Sequence, residues 1–348
     1  MSLGEPTASR PCGAPRDALE FQLVQIWEDL LGVRPIGVDD EFVQLGGDSL
    51  QAMSLLARVA QETGLNVPMA GIVSTVTVAR LARLLRDESP HAQWSPLVPF
   101  RTEGRRRPLF MVHPGGGNVL CYLRLSELLA HDRPFYGLQC PGVDGERPLL
   151  ATAEELAGEY VAALRRVQPQ GPYALGGWSV GGVLAFEMAQ QLRAAGQQVS
   201  PLAILDSGVL YACALIAIIF PKGQLGALDL LRMPPHEQLA EFRRRSAPAR
   251  LIPDNAGDEL ATRIMRLFTS NMRAMVLYRP QAYDDTITLF QAAESLVKPR
   301  FEPRREWRQV CRQVAVQRVP GNHLTMIHEP HVRPLAEQLN LCLDAADQ

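Results

Sequence analysis

Apolar residues recur at helical spacing in the first ninety residues of the chain. After Asp17 they follow the i, i+4, i+7, i+8 and i+11 positions of one helix face: Leu19, Leu23, Ile26, Trp27 and Leu30. Gly32 comes next, where a helix commonly ends. A second apolar face begins near Ser49, and a third helix is predicted over about residues 77–87. The pattern predicts a bundle of three or four helices within residues 16–88.

The pattern changes after residue 100. Short apolar runs typical of buried strands begin near residues 108, 173, 201, 286 and 314, and helical segments separate several of them. Strands that alternate with helices indicate a mostly parallel sheet with helices on both faces. Residues 89–99 contain three prolines and are predicted to link the two domains. Residues 1–15 are predicted to be a disordered leader.

Composition and charge exclude several classes of protein. The 348 residues are 47% hydrophobic and 21% charged, as in ordinary globular domains. A formal net charge of −2 gives no reason to expect nucleic acid or an anionic membrane as a partner. The longest apolar run, 209–220, is too short to cross a bilayer. Six cysteines without paired spacing favour a cytoplasmic protein with reduced thiols, and we expect no metal site.

A serine motif follows the second strand-like run. Residues 177–181 read GWSVG, which fits the G-x-S-x-G turn between a strand and a helix. The run YALGG precedes the turn, and the helix after it is apolar on nearly all sides, as expected beside a sheet. Ser179 is therefore the candidate nucleophile, and the backbone N–H of Val180 is a candidate donor to an oxyanion.

A serine nucleophile needs a base, and the base needs an acid that orients it. The expected chain order is serine, then acid, then histidine. His323 lies on a loop between the last predicted strand and a closing helix, whereas His328 and His331 are expected at the surface one turn later. Asp206 and Glu294 each follow a predicted strand after the serine. These positions alone leave both carboxylates open as the acid.

A glycine-rich loop follows the first well-formed strand. Residues 113–118 read HPGGGN, and the glycines can present backbone N–H groups to a developing oxyanion. Gly115 and Gly116 are named as candidate donors beside Val180, and which glycine of residues 115–117 completes the hole stays open. His113 is expected to have a structural role.

Ser49 lies in a comparable setting near the N-terminus, in the segment LGGDSLQAM. A serine at a helix start can be an ordinary N-cap. The free N–H groups and the dipole of a helix start also suit a phosphate group. The sequence therefore allows either an N-cap or a modification site.

Together these motifs resemble two neighbouring domains of nonribosomal peptide synthetases. The GWSVGG segment with Asp206, His323 and the HPGGG loop resembles a type I thioesterase domain, an α/β-hydrolase, over roughly residues 97–345. In that family the acid follows the strand after the nucleophile helix, which favours Asp206. The segment DDEFVQLGGDSLQAMSLLARV resembles a peptidyl carrier domain. In that family the serine of this motif, here Ser49, receives 4′-phosphopantetheine.

The resemblance implies a small all-α carrier bundle over 16–88, then an α/β-hydrolase domain over 100–348 with a mostly parallel sheet and a helical lid at about 207–280. The implied function is release of a carrier-bound peptidyl or acyl thioester in nonribosomal peptide biosynthesis. The chain on Ser49 would pass to Ser179 and then be hydrolysed or cyclised. Implied partners are upstream adenylation and condensation domains and a phosphopantetheinyl transferase. The alternatives are a passive carrier module with an inactive hydrolase, and a proofreading thioesterase.

Overall fold

The computed structural model describes residues 13–63, 77–86, 94–145, 147–212, 214, 233–247, 251–252 and 256–348. The chain divides into two compact units, Met1–Ala92 and Gln93–Gln348. Most of the predicted leader, much of the predicted linker and much of the predicted lid, including most of the apolar run 209–220, lie outside the described residues.

Helices form the described part of the first unit, as the periodicity predicts. They are α1 (Ala18–Leu31), α2 (Ser49–Thr63) and α3 (Val78–Arg86). Helix α1 begins where the Asp17 side chain accepts the Glu20 N–H at 2.9 Å. It ends at Gly32, whose φ of +68° is the left-handed conformation that glycine adopts most easily. Both predicted ends of this helix are confirmed.

The predicted apolar face of α1 forms the core of the first unit. Leu23, Ile26 and Trp27 are buried, and α1 packs against both α2 and α3. The Trp27 ring meets Phe42 edge-on, with 5.0 Å between the ring centroids. Full burial of such side chains stabilises a fold by about 1.5–3 kcal/mol each. Through this contact Phe42, in the loop that precedes Ser49, packs against the helical core.

One sheet organises the second unit. Its seven strands among the described residues are β1 (Leu97–Arg101), β2 (Leu109–Val112), β3 (Phe135–Leu138), β4 (Tyr173–Trp178), β5 (Val199–Leu205), β6 (Tyr283–Glu294) and β7 (Cys311–Asn322). The order is β1-β3-β2-β4-β5-β6-β7. Only the β1–β3 pair is antiparallel within this sheet, so the mostly parallel arrangement is confirmed.

Two strands of this sheet differ from the sequence-based expectation. Residues 97–99, which the proline content assigns to the linker, begin β1, where Val98 is buried and pairs with Gly137. The four-residue strand β3 was not among the expected runs. Its register against β2 begins with Phe135 opposite Leu109.

Helices cover the sheet and continue the alternating pattern. They are α4 (Leu123–Leu128), α5 (Ala153–Val167), α6 (Val180–Ala194), α7 (Pro235–Ser246), α8 (Asp258–Leu277), α9 (Pro303–Val310) and α10 (Val332–Asp347). Helix α6 is buried on nearly all sides between the sheet and α5, as its sequence predicts. Helices α7 and α8 come from the segment assigned to the lid. None of the helices in the described ranges has the length and apolarity that crossing a bilayer needs.

Candidate active site

Three side chains meet where parallel strands end. Ser179 lies in the turn from β4 to α6, Asp206 directly follows β5, and His323 directly follows β7. His323 Nε2 lies 3.1 Å from Ser179 Oγ, and His323 Nδ1 lies 3.0 Å from Asp206 Oδ2. Glu294, the other carboxylate that the sequence left open, is exposed at the end of β6. The fold therefore brings Asp206 to the imidazole.

The serine turn requires glycines on both sides. Ser179 has φ +59° and ψ −128°, a conformation that costs a non-glycine residue about 1–3 kcal/mol. A Cβ on Gly177 would lie 2.2 Å from the Gly181 backbone, and one on Gly181 would lie 2.2 Å from the Val112 carbonyl oxygen. A side chain at Gly177 would force β4 away from α6, and one at Gly181 would force α6 away from the end of β2. The glycines thus allow the strained turn that presents the serine hydroxyl.

Hydrogen bonds from the next strand hold this turn and the acid together. The Ser179 N–H donates to the Leu205 carbonyl at 3.2 Å, and the Ser207 hydroxyl donates to the Ser179 carbonyl. Asp206 also has a positive φ, +43°. Its Oδ1 accepts the Ala292 N–H at 3.0 Å. Neighbouring strands therefore fix the backbone of the nucleophile and the carboxylate of the acid.

The glycine loop lies beside the start of α6. The Gly117 N–H donates to the Pro114 carbonyl at 3.0 Å, so this N–H is already engaged in the turn. That leaves Gly115 and Gly116 as the loop's candidate donors, beside Val180. The amide of Asn271 on α8 donates to the Gly115 carbonyl at 2.9 Å, and Asn271 is buried. A residue of the predicted lid thus holds the glycine loop.

His113 is placed to support the loop. Its Nδ1 lies 2.7 Å from the Pro114 carbonyl and its Nε2 lies 2.6 Å from the Tyr160 hydroxyl. Complete burial lowers the pKa of His113 to about 4. A neutral ring satisfies both contacts, with Nδ1–H donating and Nε2 accepting. This geometry agrees with the structural role expected for His113.

Ser49 is the first residue of α2, and a different residue caps that helix. Asp48 Oδ1 accepts the Gln51 N–H at 2.8 Å, and Gln51 Oε1 accepts the Asp48 N–H at 3.0 Å. This reciprocal pair is a capping box. A Cβ on Gly47 would lie 2.4 Å from the Phe42 ring, so only glycine fits there. The capping function belongs to Asp48, and the helix start beside Ser49 suits a bound phosphate.

Both parts of the chain match known protein families. Residues 107–341 match the family model described as Thioesterase domain. The chain belongs to this thioesterase family. Residues 22–85 match the family described as Phosphopantetheine attachment site, so the thioesterase domain follows a carrier domain whose cofactor is phosphopantetheine. The predicted pair of neighbouring domains is confirmed.

The relatives of this carrier–thioesterase chain are nonribosomal peptide synthetases. A probable non-canonical synthetase, CymA of Salinispora arenicola, is 31% identical over 94% of this chain, which spans 4% of that protein. A holo four-domain synthetase structure, AB3403, is 27% identical with a TM-score of 0.62, covering 98% of this chain and 27% of its own. The NocB thioesterase domain in covalent complex with a fluorophosphonate nocardicin G analogue is 29% identical with a TM-score of 0.55. That match covers 69% of this chain and 96% of NocB's.

Sequence reasoning missed two aromatic contacts in the thioesterase domain. The indole Nε1–H of Trp178 donates to the His323 carbonyl at 3.1 Å, and the two rings lie 5.4 Å apart. The Trp178 N–H donates to the Tyr122 hydroxyl at 2.9 Å, which in turn donates to the Val112 carbonyl at 2.6 Å. Trp178 occupies a variable position of G-x-S-x-G, so the motif gives no sign of this contact.

Proposed function

We propose that the chain releases a peptidyl or acyl group held as a thioester on its own carrier domain, in nonribosomal peptide biosynthesis. Ser179 would be the nucleophile, His323 the base and Asp206 the acid that orients the imidazole. The observation that carries this proposal is the continuous set of contacts from Ser179 Oγ through His323 to Asp206, at 3.1 and 3.0 Å. It lies in a chain that also contains a phosphopantetheine attachment domain.

In the first step, Ser179 gives its hydroxyl proton to His323 Nε2 while its Oγ attacks the carbonyl carbon of the thioester. The N–H of Val180 and that of Gly115 or Gly116 stabilise the charge on the carbonyl oxygen. The carbon–sulfur bond then breaks and the imidazolium gives its proton to the departing sulfur. An ester on Ser179 remains.

In the second step, His323 takes a proton from the attacking nucleophile as that nucleophile adds to the ester carbon. The bond between this carbon and Ser179 Oγ breaks, and the imidazolium returns a proton to Oγ. Water as the nucleophile gives a free acid. An amine or hydroxyl of the same acyl chain gives a ring.

Ser49 would hold the phosphopantetheine group as a phosphate ester. This group supplies the thiol on which the acyl chain is carried. Asp48 and Gln51 fix the first turn of α2 through bonds that do not involve the Ser49 side chain. Tethering a substrate to the chain that cleaves it can give effective concentrations in about the millimolar range.

The predicted lid would influence which nucleophile completes the reaction. Helix α8 contacts the glycine loop through Asn271, and a Cβ on Gly115 would lie 3.1 Å from the Phe268 ring. Side chains of α8 therefore border Gly115, one of the candidate oxyanion donors. A lid that excludes water at this position favours ring closure over hydrolysis.

Upstream partners follow from the same chemistry. The carrier must receive its acyl chain from domains that activate and condense monomers, and its phosphopantetheine from a transferase. The chain spans 4% of CymA and 27% of the four-domain AB3403 chain, so these relatives have room for further domains of this kind. A passive module would not need the intact contacts among Ser179, His323 and Asp206, and a separate proofreading enzyme would not need a fused carrier.

Intact mass spectrometry tests the proposal. A broad-specificity phosphopantetheinyl transferase would load an acyl-phosphopantetheine onto the full chain, beside Ser179→Ala, Ser49→Ala and the control Ser200→Ala. We expect the wild type and Ser200→Ala to gain and then lose the acyl mass, Ser179→Ala to retain it, and Ser49→Ala never to gain it. Retention by all loaded proteins would favour the passive module, and loading of Ser49→Ala would contradict the assigned attachment site.

A further inference from the structure

A tyrosine outside the three-residue contact set binds the acid directly. The Tyr211 hydroxyl donates to Asp206 Oδ2, the same oxygen that faces His323 Nδ1. Burial, together with the neighbouring Asp206 carboxylate, raises the pKa of Tyr211, so the phenol keeps the proton that it donates. The Tyr211 ring also meets the His323 ring edge-on at 5.6 Å. One side chain therefore contacts both partners of the acid–base pair.

Apolar packing fixes the ring of Tyr211. Tyr211 is 2% exposed and forms a buried cluster with Val297, against which Ala214, Leu296 and Phe301 also pack. All four of these neighbours are apolar. A phenylalanine at this position would keep them and lose only the bond to Asp206.

A carboxylate from α9 holds the backbone that carries Tyr211. Both oxygens of Glu306 accept the Leu210 N–H at 3.0 Å, and Oε2 also faces the Tyr211 N–H at 3.4 Å. Residues 209–212 are helical, so these N–H groups lie at a helix start that favours an anion. A Cβ on Gly208 would lie 2.6 Å from Glu306 Oε2, so glycine makes room for the carboxylate.

The neighbouring residue of α9 holds the same segment from its other end. The indole Nε1–H of Trp307 donates to the Ser207 carbonyl at 2.6 Å, and both residues are buried. Helix α9 thus contacts the segment directly after Asp206 and again at Tyr211. The first residues of the predicted lid, directly after the acid, are therefore held at two points.

We propose that Tyr211 is a positioning residue for the Asp206–His323 pair, and that Glu306 keeps Tyr211 in place. This inference rests on the function proposed above. The Tyr211 hydroxyl holds the carboxylate at the orientation that the imidazole needs, and it takes part of the negative charge of Oδ2 by hydrogen bonding. Among the described residues, the titratable side chains that contact the His323 ring are Asp206 and Tyr211, with Ser179 and Trp178 on its other sides.

The test measures how fast a fluorophosphonate probe labels Ser179 in the full chain, over a range of about pH 5 to 9. Labelling requires the serine and its base, and the assay can be run without knowing the natural acyl group. The variant is Tyr211→Phe. The matched control is Tyr278→Phe, which removes another buried hydroxyl that donates to a carboxylate, here Glu187 at 2.7 Å.

We expect Tyr211→Phe to lower the labelling rate about tenfold, the effect of losing one hydrogen bond to a charged group. The acidic limb of the rate profile should also move to higher pH, because the carboxylate of Asp206, no longer sharing its charge with the phenol, favours the protonated imidazole. Tyr278→Phe should leave rate and profile unchanged. A purely structural role would lower the melting temperature without moving the acidic limb.

A second variant tests the part played by Glu306. We expect Glu306→Ala to slow labelling in the same direction as Tyr211→Phe, and the double variant to label within about twofold of Tyr211→Phe alone, because Glu306 acts through the tyrosine. Additive losses would contradict that route. A Tyr211→Phe protein with the wild-type rate and profile, beside an unreactive Ser179→Ala protein, would overturn the inference and leave the proposed function intact. Labelling of Ser179→Ala at the wild-type rate would overturn both.

Discussion

Replacing Asp206 with asparagine should nearly abolish the reactivity of Ser179 without unfolding the domain. Asp206 is 1% exposed and accepts three hydrogen bonds: from the Ala292 N–H, His323 Nδ1 and the Tyr211 hydroxyl. Asparagine has nearly the same shape, so its carbonyl oxygen can keep the bond to Ala292. Its amide NH₂ then faces His323 and Tyr211, where an acceptor is needed.

The size of the effect follows from the tautomer of His323. An NH₂ group opposite Nδ1 favours the ring with its proton on Nε2, and that N–H then faces Ser179 Oγ across 3.1 Å. The imidazole can no longer accept the serine proton. The corresponding Asp→Asn substitution in a serine protease lowers kcat about 10⁴-fold. We expect a loss of this order, or about 5 kcal/mol of transition-state stabilisation.

The assay is the labelling rate with a fluorophosphonate probe, together with release of an acyl group from the loaded carrier. Glu294→Gln is the matched control, because Glu294 is the other carboxylate that follows a strand after the serine, and it is exposed. We expect this control to react within about twofold of the wild type. An Asp206→Asn protein that keeps a tenth of the wild-type rate would refute the reasoning, as would a large loss in Glu294→Gln.

Three further outcomes follow from other contacts. Gly181→Ala places a Cβ 2.2 Å from the carbonyl at the end of β2, so thermal melting should show the free energy of unfolding lowered by more than about 3 kcal/mol. The control Gly158→Ala, on α5, should change it by no more than about 1 kcal/mol. The pKa of His113 is lowered from 6.5 to about 4 in the folded protein, so between these pH values the unfolded chain binds a proton that the folded chain does not. Urea melts should therefore show the free energy of unfolding falling from about pH 6.5 to pH 4, and falling less steeply in His113→Gln. Equal slopes in the two proteins would contradict this. Asn271→Ala removes the 2.9 Å bond to the glycine loop, so labelling of the serine should slow about tenfold, and an unchanged rate would show that the loop holds its shape alone.

Local patterns predict much of this fold. The apolar face of α1 and its ends at Asp17 and Gly32 depend on residues within one helix, and the structure has them as predicted. The turn at Ser179 depends on glycines within a few positions of it, which is why a short motif identifies it. Chemistry that is set by neighbours in the chain can be inferred from neighbours in the sequence.

Pairing between distant segments could not be predicted in the same way. The strand β1 lies in a proline-containing stretch, and its antiparallel pairing with β3, whose register shifts between Pro99 and Arg101, depends on residues about forty positions away. The four residues of β3 are too few to show a period. Both strands form because they hydrogen-bond to neighbouring strands of the sheet. The residues of the two segments do not by themselves indicate that pairing.

The residues of the candidate site also differ in how far local sequence predicts them. Ser179 and His323 were predicted from their motif and loop, but Asp206 and Glu294 stayed equal until family resemblance favoured the first. The contact that distinguishes them joins residues 117 positions apart. Tyr211 follows Asp206 by five residues, but no motif contains it, and Glu306 reaches the same segment from 96 positions away.

The central claim is that the acyl group passes from Ser49 to Ser179 before it leaves. The most direct measurement is rapid quenching of the acyl-loaded chain in acid, followed by protease digestion and mass mapping of the peptides that contain the two serines. We expect the acyl mass to disappear from the Ser49 peptide and to appear transiently on the Ser179 peptide, and to stay on the Ser49 peptide in Ser179→Ala. Release of the acyl group at the wild-type rate from Ser179→Ala, with no acyl mass on any peptide of the second unit, would contradict the claim.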